Sequence, residues 1–500
     1  MARNMELYHQ QKAESWKSKA ISRGLLLKLF KQLVGELRNA RDKWRRKYEA
    51  SQSKLHTAEK RIKDLELELK KTDGLTFKPK PARHCFDSEF VLLMVSFKLK
   101  SSASFRGLQR QQEIRRDLLG ESGMAPSHSC ISNWVLKIGL HELRRQQTKA
   151  ADWVIILDTS IQMGQEKVLV VLGIRQIHIN KLGRPLVFED LVPLAIEVRQ
   201  SWKGEDVEAV VAKLQTEIGT VTYAVADHGG ELRKGLRLAG VRHVHDVTHA
   251  IALLVERVYK ADLIYLAFCA QLSAMRLKLC QTDVAHIVPQ AQRKKSPYQN
   301  IRPITVWAHQ MLAFLASPEA ALLENARVAK ELQWLKGYQE LIDQMHELVL
   351  TINHCEKLLK HNGLTKRTVT ECNAIMSRLT DPSFAVLREE FVKGLQRTLD
   401  DIADHQLVLC SSDIIESMFG AYKNFVSNNK MAGVTKLVLV MAALTCDLTL
   451  ESIKESLEGT TAGQLREWDK ECIGRTLYKR RRDICNQSQK QEVKLKLQYA

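Results

Sequence analysis

The run Trp153-Val154-Ile155-Ile156-Leu157-Asp158-Thr159-Ser160 decides how this chain is read. Its apolar, largely β-branched residues favour an extended strand. A carboxylate at the exit of such a strand is pulled from water unless something pairs with it. Val221-Thr222-Tyr223-Ala224-Val225-Ala226-Asp227 repeats the arrangement further along. A third acid, Glu416, lies inside Ser411-Ser412-Asp413-Ile414-Ile415-Glu416-Ser417-Met418-Phe419-Gly420, which reads as a helix. Two strand-end carboxylates and one helical carboxylate make a hard-oxygen set of the sort Mg²⁺ accepts.

Working outward from 153–158, a second β-branched run at 168–174 follows Met163-Gly164, a hairpin signal, and 186–198 supplies a third run. Residues 203–219 then read as an amphipathic helix, followed by the strand into Asp227 and a short strand at 241–245. Three antiparallel strands, a helix, a strand and a helix follow ribonuclease-H order. That order sets the centre of the first strand beside the end of the fourth, so Asp158 and Asp227 are expected to meet. Between about 247 and 410 the strand signals vanish, and an all-helical block separates the second Asp from Glu416.

Residues 1 to about 75 are basic and free of Pro. Leu37, Trp44, Ser51, Ala58 and Leu65 fall on one seven-residue series, and Val34, Arg41, Tyr48, Leu55, Ile62 and Leu69 on the other. This alternating stripe predicts a coiled coil, with Arg41 and Ser51 weakening the seam. Asp73-Gly74 and Lys78-Pro79-Lys80-Pro81 break it. A short helix, a turn at 120–123, and a second helix opened by Pro126 and Ser127 follow. Ile131, Trp134, Val135 and Ile138 share the inner face of that second helix, which is helix-turn-helix grammar. Ser127, His128, Ser132 and Asn133 would be its base-facing set; a small helical bundle without DNA contact would show the same periodicity. The expected organisation is therefore α+β and multidomain: a coiled coil at 1–75, a helix-turn-helix domain at 76–150, a sheet domain at 151–260, an all-helical insertion at 261–405, a closing helix with Glu416 at 406–450, and a basic tail at 451–500.

The 500 residues carry 76 Lys and Arg against 57 Asp and Glu, a net charge of +19 that favours a polyanionic partner, nucleic acid first. No stretch reaches the roughly 18 apolar residues of a membrane span and the start lacks a signal-peptide core, which predicts a cytosolic or nucleoid-associated protein. The 10 cysteines are scattered singly, without the pairing of a zinc ribbon or secreted scaffold.

The stretch His243-Val244-His245-Asp246-Val247-Thr248-His249 is the second cluster rich in functional side chains. Zinc would need tetrahedral closure within seven residues, which is hard. A supporting role suits it better, with His249 hydrogen-bonding near the metal carboxylates and Asp246 capping the following helix; a satisfied buried histidine is the plainer alternative.

The order of basic coiled N-terminus, helix-turn-helix, strand-Asp158, strand-Asp227, Asp246-x-x-His249, helical insertion and Glu416 helix resembles bacterial insertion-sequence transposases of the DDE class. Within them it is most similar to groups sharing a helical insertion and a Cys/Asp-x-x-His motif with hAT and Mutator-like elements. The resemblance spans roughly 85–435. It implies a ribonuclease-H-like fold with an inserted helical domain and double-stranded terminal-inverted-repeat DNA as substrate. It also implies Asp158, Asp227 and Glu416 as the catalytic triad, two Mg²⁺ ions replaceable by Mn²⁺, and Asp246 and His249 at the Asp-x-x-His position, where Cys is commoner than Asp. Such chemistry is in-line attack on a phosphodiester by water and then by a DNA 3′-hydroxyl, with no covalent protein intermediate. Lys294, Lys295, Arg302 and Lys423 are candidate phosphate holders, and a homodimer or larger assembly on DNA is expected. Rival readings are a non-catalytic DNA-binding protein, such as a domesticated transposase, and a nuclease of the same fold that cuts without joining.

Overall fold

The computed structural model of the chain describes residues 2–72, 80–120, 124–161, 166–292, 300–402, 407–426 and 433–486. Two compact units result, Met1–Lys78 and Pro79–Ala500. The first contains α1 (Ala2–Thr72), one helix of 71 residues. Leu37, Trp44, Tyr48 and Leu55 of its heptad stripe are all more than half exposed. A lone helix gains nothing from such a stripe, since helices draw most of their stability from packing an apolar face.

The second unit opens with α2 (Ser88–Lys100), α3 (Phe105–Leu119) and α4 (His128–Arg144). Asp87, Ser104 and Ser127 cap them, each accepting from a backbone N–H in the first turn. Next come β1 (Ala150–Ile161), β2 (Lys167–Arg175), the single turn α5 (Gln176–Ile179), β3 (Val192–Arg199), α6 (Gly204–Ile218), β4 (Gly219–Ala226), α7 (Gly230–Leu238) and β5 (Arg242–His245). After α8 (Val247–Tyr259), the helices α9 (Leu263–Leu279), α10 (Ile301–Ala316), α11 (Ala326–Leu332), α12 (Gln339–Asn362), α13 (Lys366–Met376) and α14 (Ala385–Asp400) build a helical block. The chain closes with α15 (Asp413–Val426), α16 (Leu439–Ala443), α17 (Leu450–Gly459), α18 (Ala462–Trp468) and a last helix over 477–486, here α19.

The five strands form one mixed sheet in the order β3-β2-β1-β4-β5. β2 is antiparallel to β1 and β3, whereas β4 runs parallel to β1 and β5 parallel to β4. Both faces of β1 are buried, which explains its unbroken apolar run. Trp153, Ile155 and Leu157 pack with Val207, Val211 and Leu214 of α6 and Leu232 and Leu236 of α7. Val154 and Ile156 enter the larger core, which also holds Tyr223 and Val225 of β4 and Ile415, Met418 and Tyr422 of α15.

Strand parity then sets the acids. Side chains alternate faces, so Asp158 follows Val154 and Ile156, and Asp227 follows Tyr223 and Val225, onto the same side of the sheet. Ile156 pairs with Val225 in register. Two residues further on each strand, the carboxylates are neighbours.

Several elements differ from the sequence reading. β1 continues past Asp158 to Ile161. The third run begins as a strand only at Val192, because Arg184 grips Asp190 with two bonds of 2.7 Å and holds 188–190 in a tight turn. α4 is enclosed in the second unit: α16 crosses so closely over Gly139 that a Cβ there would lie 2.0 Å from the Leu439 carbonyl oxygen. Within 451–473, read as tail, α17 and α18 bury Ile453, Leu457, Leu465 and Trp468. Met163-Gly164, the linker at 73–79, and Arg293, Lys294 and Lys295 lie outside the described residues.

Candidate active site

Three separate parts of the chain meet on the larger-core face of the sheet. β1 and β4 bring Asp158 and Asp227. The β5–α8 junction brings Asp246 and His249, and α15 brings Glu416.

Asp246 is the pivot. It caps α8 by accepting from the His249 backbone N–H (2.9 Å) and accepts from His249 Nδ1 (3.1 Å) on the same oxygen. Its other oxygen accepts from the backbone N–H (2.7 Å) and hydroxyl (3.0 Å) of Ser412. Asp246 and Ser412 are both 1% exposed. Burial alone would raise the Asp246 pKa, yet His249 and Ser412 hold it below the usual carboxylate range. One buried carboxylate thus locks the start of α8 to the start of α15, 166 residues later. Further bonds tighten the joint: the Val247 N–H to the Cys410 carbonyl (2.8 Å), and the Leu409 N–H to the Tyr223 hydroxyl (3.0 Å). On the far side, Lys360 of α12 reaches Asp413 and Glu356, each at 2.5 Å, and Thr248 donates to Glu356 (2.8 Å). The helical block therefore fixes the angle at which α15 returns to the sheet.

Ligand atoms of Asp227, His249 and Glu416 all lie within 4.8 Å of one another. His249 Nδ1 is 2.9 Å from Asp227 Oδ1, and Nε2 is 4.0 Å from Glu416 Oε1. The single Nδ1 hydrogen is aimed at Asp246; Asp227 Oδ1 lies off that axis and is a buried oxygen with no hydrogen-bond partner. Asp158 stands outside the 4.8 Å group, its Oδ1 accepting from the Thr159 N–H at 2.6 Å, but it is near enough to feel the other acids.

Electrostatics mark a deficit of positive charge. Burial, then Asp227, pushes the Asp158 carboxyl up to about 7, with Glu416 adding to the rise and the Thr159 N–H and His249 opposing it. Glu416 is also raised, first by burial, with His249 opposing and Asp246 and Asp227 adding. His249 is held up to about 10, first by Asp227 and then by Asp246, against burial. Among the described residues His249 is the sole cationic ion-pair partner of these three acids. A divalent cation fits this place on chemical grounds: carboxylates with one imidazole, one orphaned buried oxygen, and repulsion that a cation would relieve. The structure thus adds His249 to the group at ligand distance, a role the sequence gave to Asp158.

The sequence reading also missed two features. Ser412 was visible only as the second Ser of a Ser-Ser-Asp start. His228 stacks on His245 (centroids 4.0 Å apart, planes 6° apart) and His243 lies tilted against His245 (4.1 Å, 59°), beside Asp227. Burial lowers all three pKa values, His245 to about 4, so they are neutral at pH 7. Among the described residues these three rings do not bring ligand atoms together as Asp227, His249 and Glu416 do.

The remaining candidates lie on helices. Ser127 caps α4 and is exposed, His128 bonds Gln109 of α3 through its N–H (2.8 Å), Ser132 is half-buried and Asn133 exposed. Arg302 and Lys423 are exposed on α10 and α15.

No protein-family model matches the chain, and no curated protein matches it. Among solved structures it is similar to a Drosophila P element transposase strand transfer complex, with a TM-score of 0.38 and 11% identity over 76% of this chain and 97% of that one. A likeness of that size decides neither fold nor activity. No helix among the described residues is long and apolar enough to cross a membrane.

Proposed function

We propose that this chain is a DDE-type DNA transposase of the insertion-sequence kind, with a ribonuclease-H-like catalytic domain interrupted by a helical insertion. The observation that carries the proposal is the convergence of Asp227 and Glu416, with His249, within 4.8 Å of one another, with Asp158 near enough to feel their charge.

Asp158, Asp227 and Glu416 hold divalent cations, Mg²⁺ or Mn²⁺, in this reading. When bound, such ions lower the pKa of an attacking water or hydroxyl and stabilise the leaving 3′-oxygen of an in-line displacement. The chain's own side chains prepare the place. Asp246 accepts from Nδ1–H of His249 and leaves Nε2 facing Glu416, so the ring lies among the acids as an oriented partner. Ser412 holds Asp246 in turn. The substrate is double-stranded DNA bearing the element's terminal inverted repeats. Ser127, His128, Ser132 and Asn133 are the proposed base-facing set, Lys294, Lys295, Arg302 and Lys423 the phosphate holders, and α1 pairs two copies through its exposed stripe.

The test is strand cleavage and strand transfer on DNA carrying the repeats that flank the gene. Alanine at Asp158, Asp227 or Glu416 is expected to abolish divalent-dependent cleavage while end binding persists; full cleavage by Asp227→Ala would refute the assignment. Cleavage without joining of a pre-cut end would instead identify a nuclease.

A further inference from the structure

The C-terminal helix α19 carries Lys479-Arg480-Arg481-Arg482, and all four side chains are exposed. The sequence placed this run in a basic tail. The structure gives it a fixed address. Glu166, immediately before β2, has a side chain only 12% exposed. Its carboxylate accepts from the Val434 N–H (3.2 Å) and lies 3.8 Å from Arg480. Gly433, at φ +69°, is so tightly packed that a Cβ would sit 2.8 Å from Leu477 and 3.0 Å from Glu166. Leu477 and Arg480, one turn apart, thus seat the inner face of α19 on the start of β2 and on the segment that follows α15. The Thr476 hydroxyl and carbonyl accept from the Lys479 and Arg480 N–H groups at its start.

This seat lies beside the acids. Lys167, next to Glu166, pairs across the strands with Ile161, three residues beyond Asp158. At the rise of a strand Ile161 lies about 10 Å along β1 from Asp158, and α19 is seated further out, across the β1–β2 pairing. Lys167 also reaches Glu231 at 3.4 Å, in the first turn after Asp227.

The cations of α19 are not neutralised. Asp483 is taken by Arg475 at 2.5 Å and Glu166 faces Arg480. Lys479, Arg481 and Arg482 have no acid partner among the described residues. Lys479 and Arg482, three positions apart, share the face turned away from Leu477.

We propose that α19 is a phosphate clamp, which holds the backbone of duplex DNA running past the β1–β2 end of the active site. The proposal rests on the DNA-transposase reading of the same site. A duplex places one charge per about 1.7 Å of axis, so a helix seated beyond the β1–β2 end of the site meets phosphates further along the same duplex rather than bases. The contact gives affinity and orientation, not sequence choice.

The test measures binding of the full chain to an arbitrary-sequence duplex by fluorescence anisotropy, in EDTA so that no cleavage intervenes, across about 50 to 200 mM salt. Wild type is compared with Lys479→Ala/Arg481→Ala/Arg482→Ala. Three lost phosphate contacts should flatten the slope of log K against log salt by about 2.7, which corresponds to about a hundredfold weaker binding at 0.15 M. The charge-keeping variant Lys479→Arg/Arg481→Lys/Arg482→Lys is expected to retain slope and affinity. Thermal unfolding checks that each variant folds; should the triple variant fail to, Arg482→Ala alone is expected to flatten the slope by about one. An unchanged slope in a folded alanine variant, or a lost one in the charge-keeping variant, overturns the clamp alone. A wild-type chain that binds no duplex overturns the transposase reading with it.

Discussion

Asp413 and Glu416 sit one turn apart on α15 and meet opposite treatment. Asp413 is held at 2.5 Å by Lys360, which Glu356 shares at the same distance, so that each acid of this group touches a full cation. Glu416 faces Asp227, Asp158 and Asp246 across a gap in which His249, 4.0 Å away, is its sole ion-pair partner among the described residues. One helix thus has a shoulder clamped by a lysine toward the insertion and an edge without one toward the sheet. Had the fold needed only stability, a Lys like Lys360 would serve equally well on the second side. Leaving it out makes chemical sense if a cation arrives from solution.

Four experiments sharpen or break that contrast. The largest effect is expected from the deficient side: Asp227→Asn should lower divalent-dependent strand cleavage at least about a thousandfold, as loss of one member of a cooperating set does. The Ser412→Ala change comes next. It leaves the buried Asp246 short of a donor and frees His249 to tilt, so cleavage should fall about 10- to 100-fold while the melting temperature drops modestly. A fall in melting temperature with normal cleavage would reduce Ser412 to a structural residue.

The third concerns pH. Asp158 has a folded pKa raised from its ordinary 3.8 to about 7. Its proton-bound form is therefore the one the cation-free fold favours: that contribution to stability is full below about 4 and is lost as pH rises through about 7. Cation binding needs the proton gone. Affinity for Mn²⁺ should consequently rise up to about tenfold per pH unit from 5 toward 7 and flatten above, while the cation-free protein loses stability over the same interval. Titration calorimetry and thermal unfolding at several pH values check both signs together. The smallest effect belongs to the lysine-clamped shoulder, where Lys360→Met should cost about 1 to 2 kcal/mol in denaturant unfolding, being partly exposed, by leaving Glu356 and Asp413 without their cation.

Much of this contrast was written in short segments. The runs at 153–158 and 221–227 carried the central strands and their acids because a strand buried on both faces has to be apolar throughout, and the interruption by Asp is then conspicuous. The order of strands and helices led to the expectation that the first strand lies beside the fourth, and β1 and β4 are neighbours. What stayed hidden depended on partners far away in sequence. Ser412 matters because Asp246 accepts from it, and nothing local to either residue announces the other. His249 entered the group at ligand distance because α15 approaches from its side, an angle set by Lys360 and Thr248 contacts with the insertion. The pattern of α4 reads equally well as an exposed second helix or a buried one; α16, three hundred residues later, covers it through Gly139. Helices α17 and α18 escaped notice because their buried residues, such as Leu457 and Trp468, are spaced thinly among charges.

The central claim is that the chain leaves its acids short of positive charge in order to take up a cation. Thermal unfolding with and without Mn²⁺, on wild type and Asp227→Asn, tests it most directly, since a ligand bound to the folded state raises the melting temperature by mass action. Mn²⁺ should raise the melting temperature of wild type and leave that of Asp227→Asn nearly unmoved, with the variant already more stable than wild type when no cation is added. A wild-type melting temperature indifferent to Mn²⁺, or an equal rise in both proteins, would contradict it.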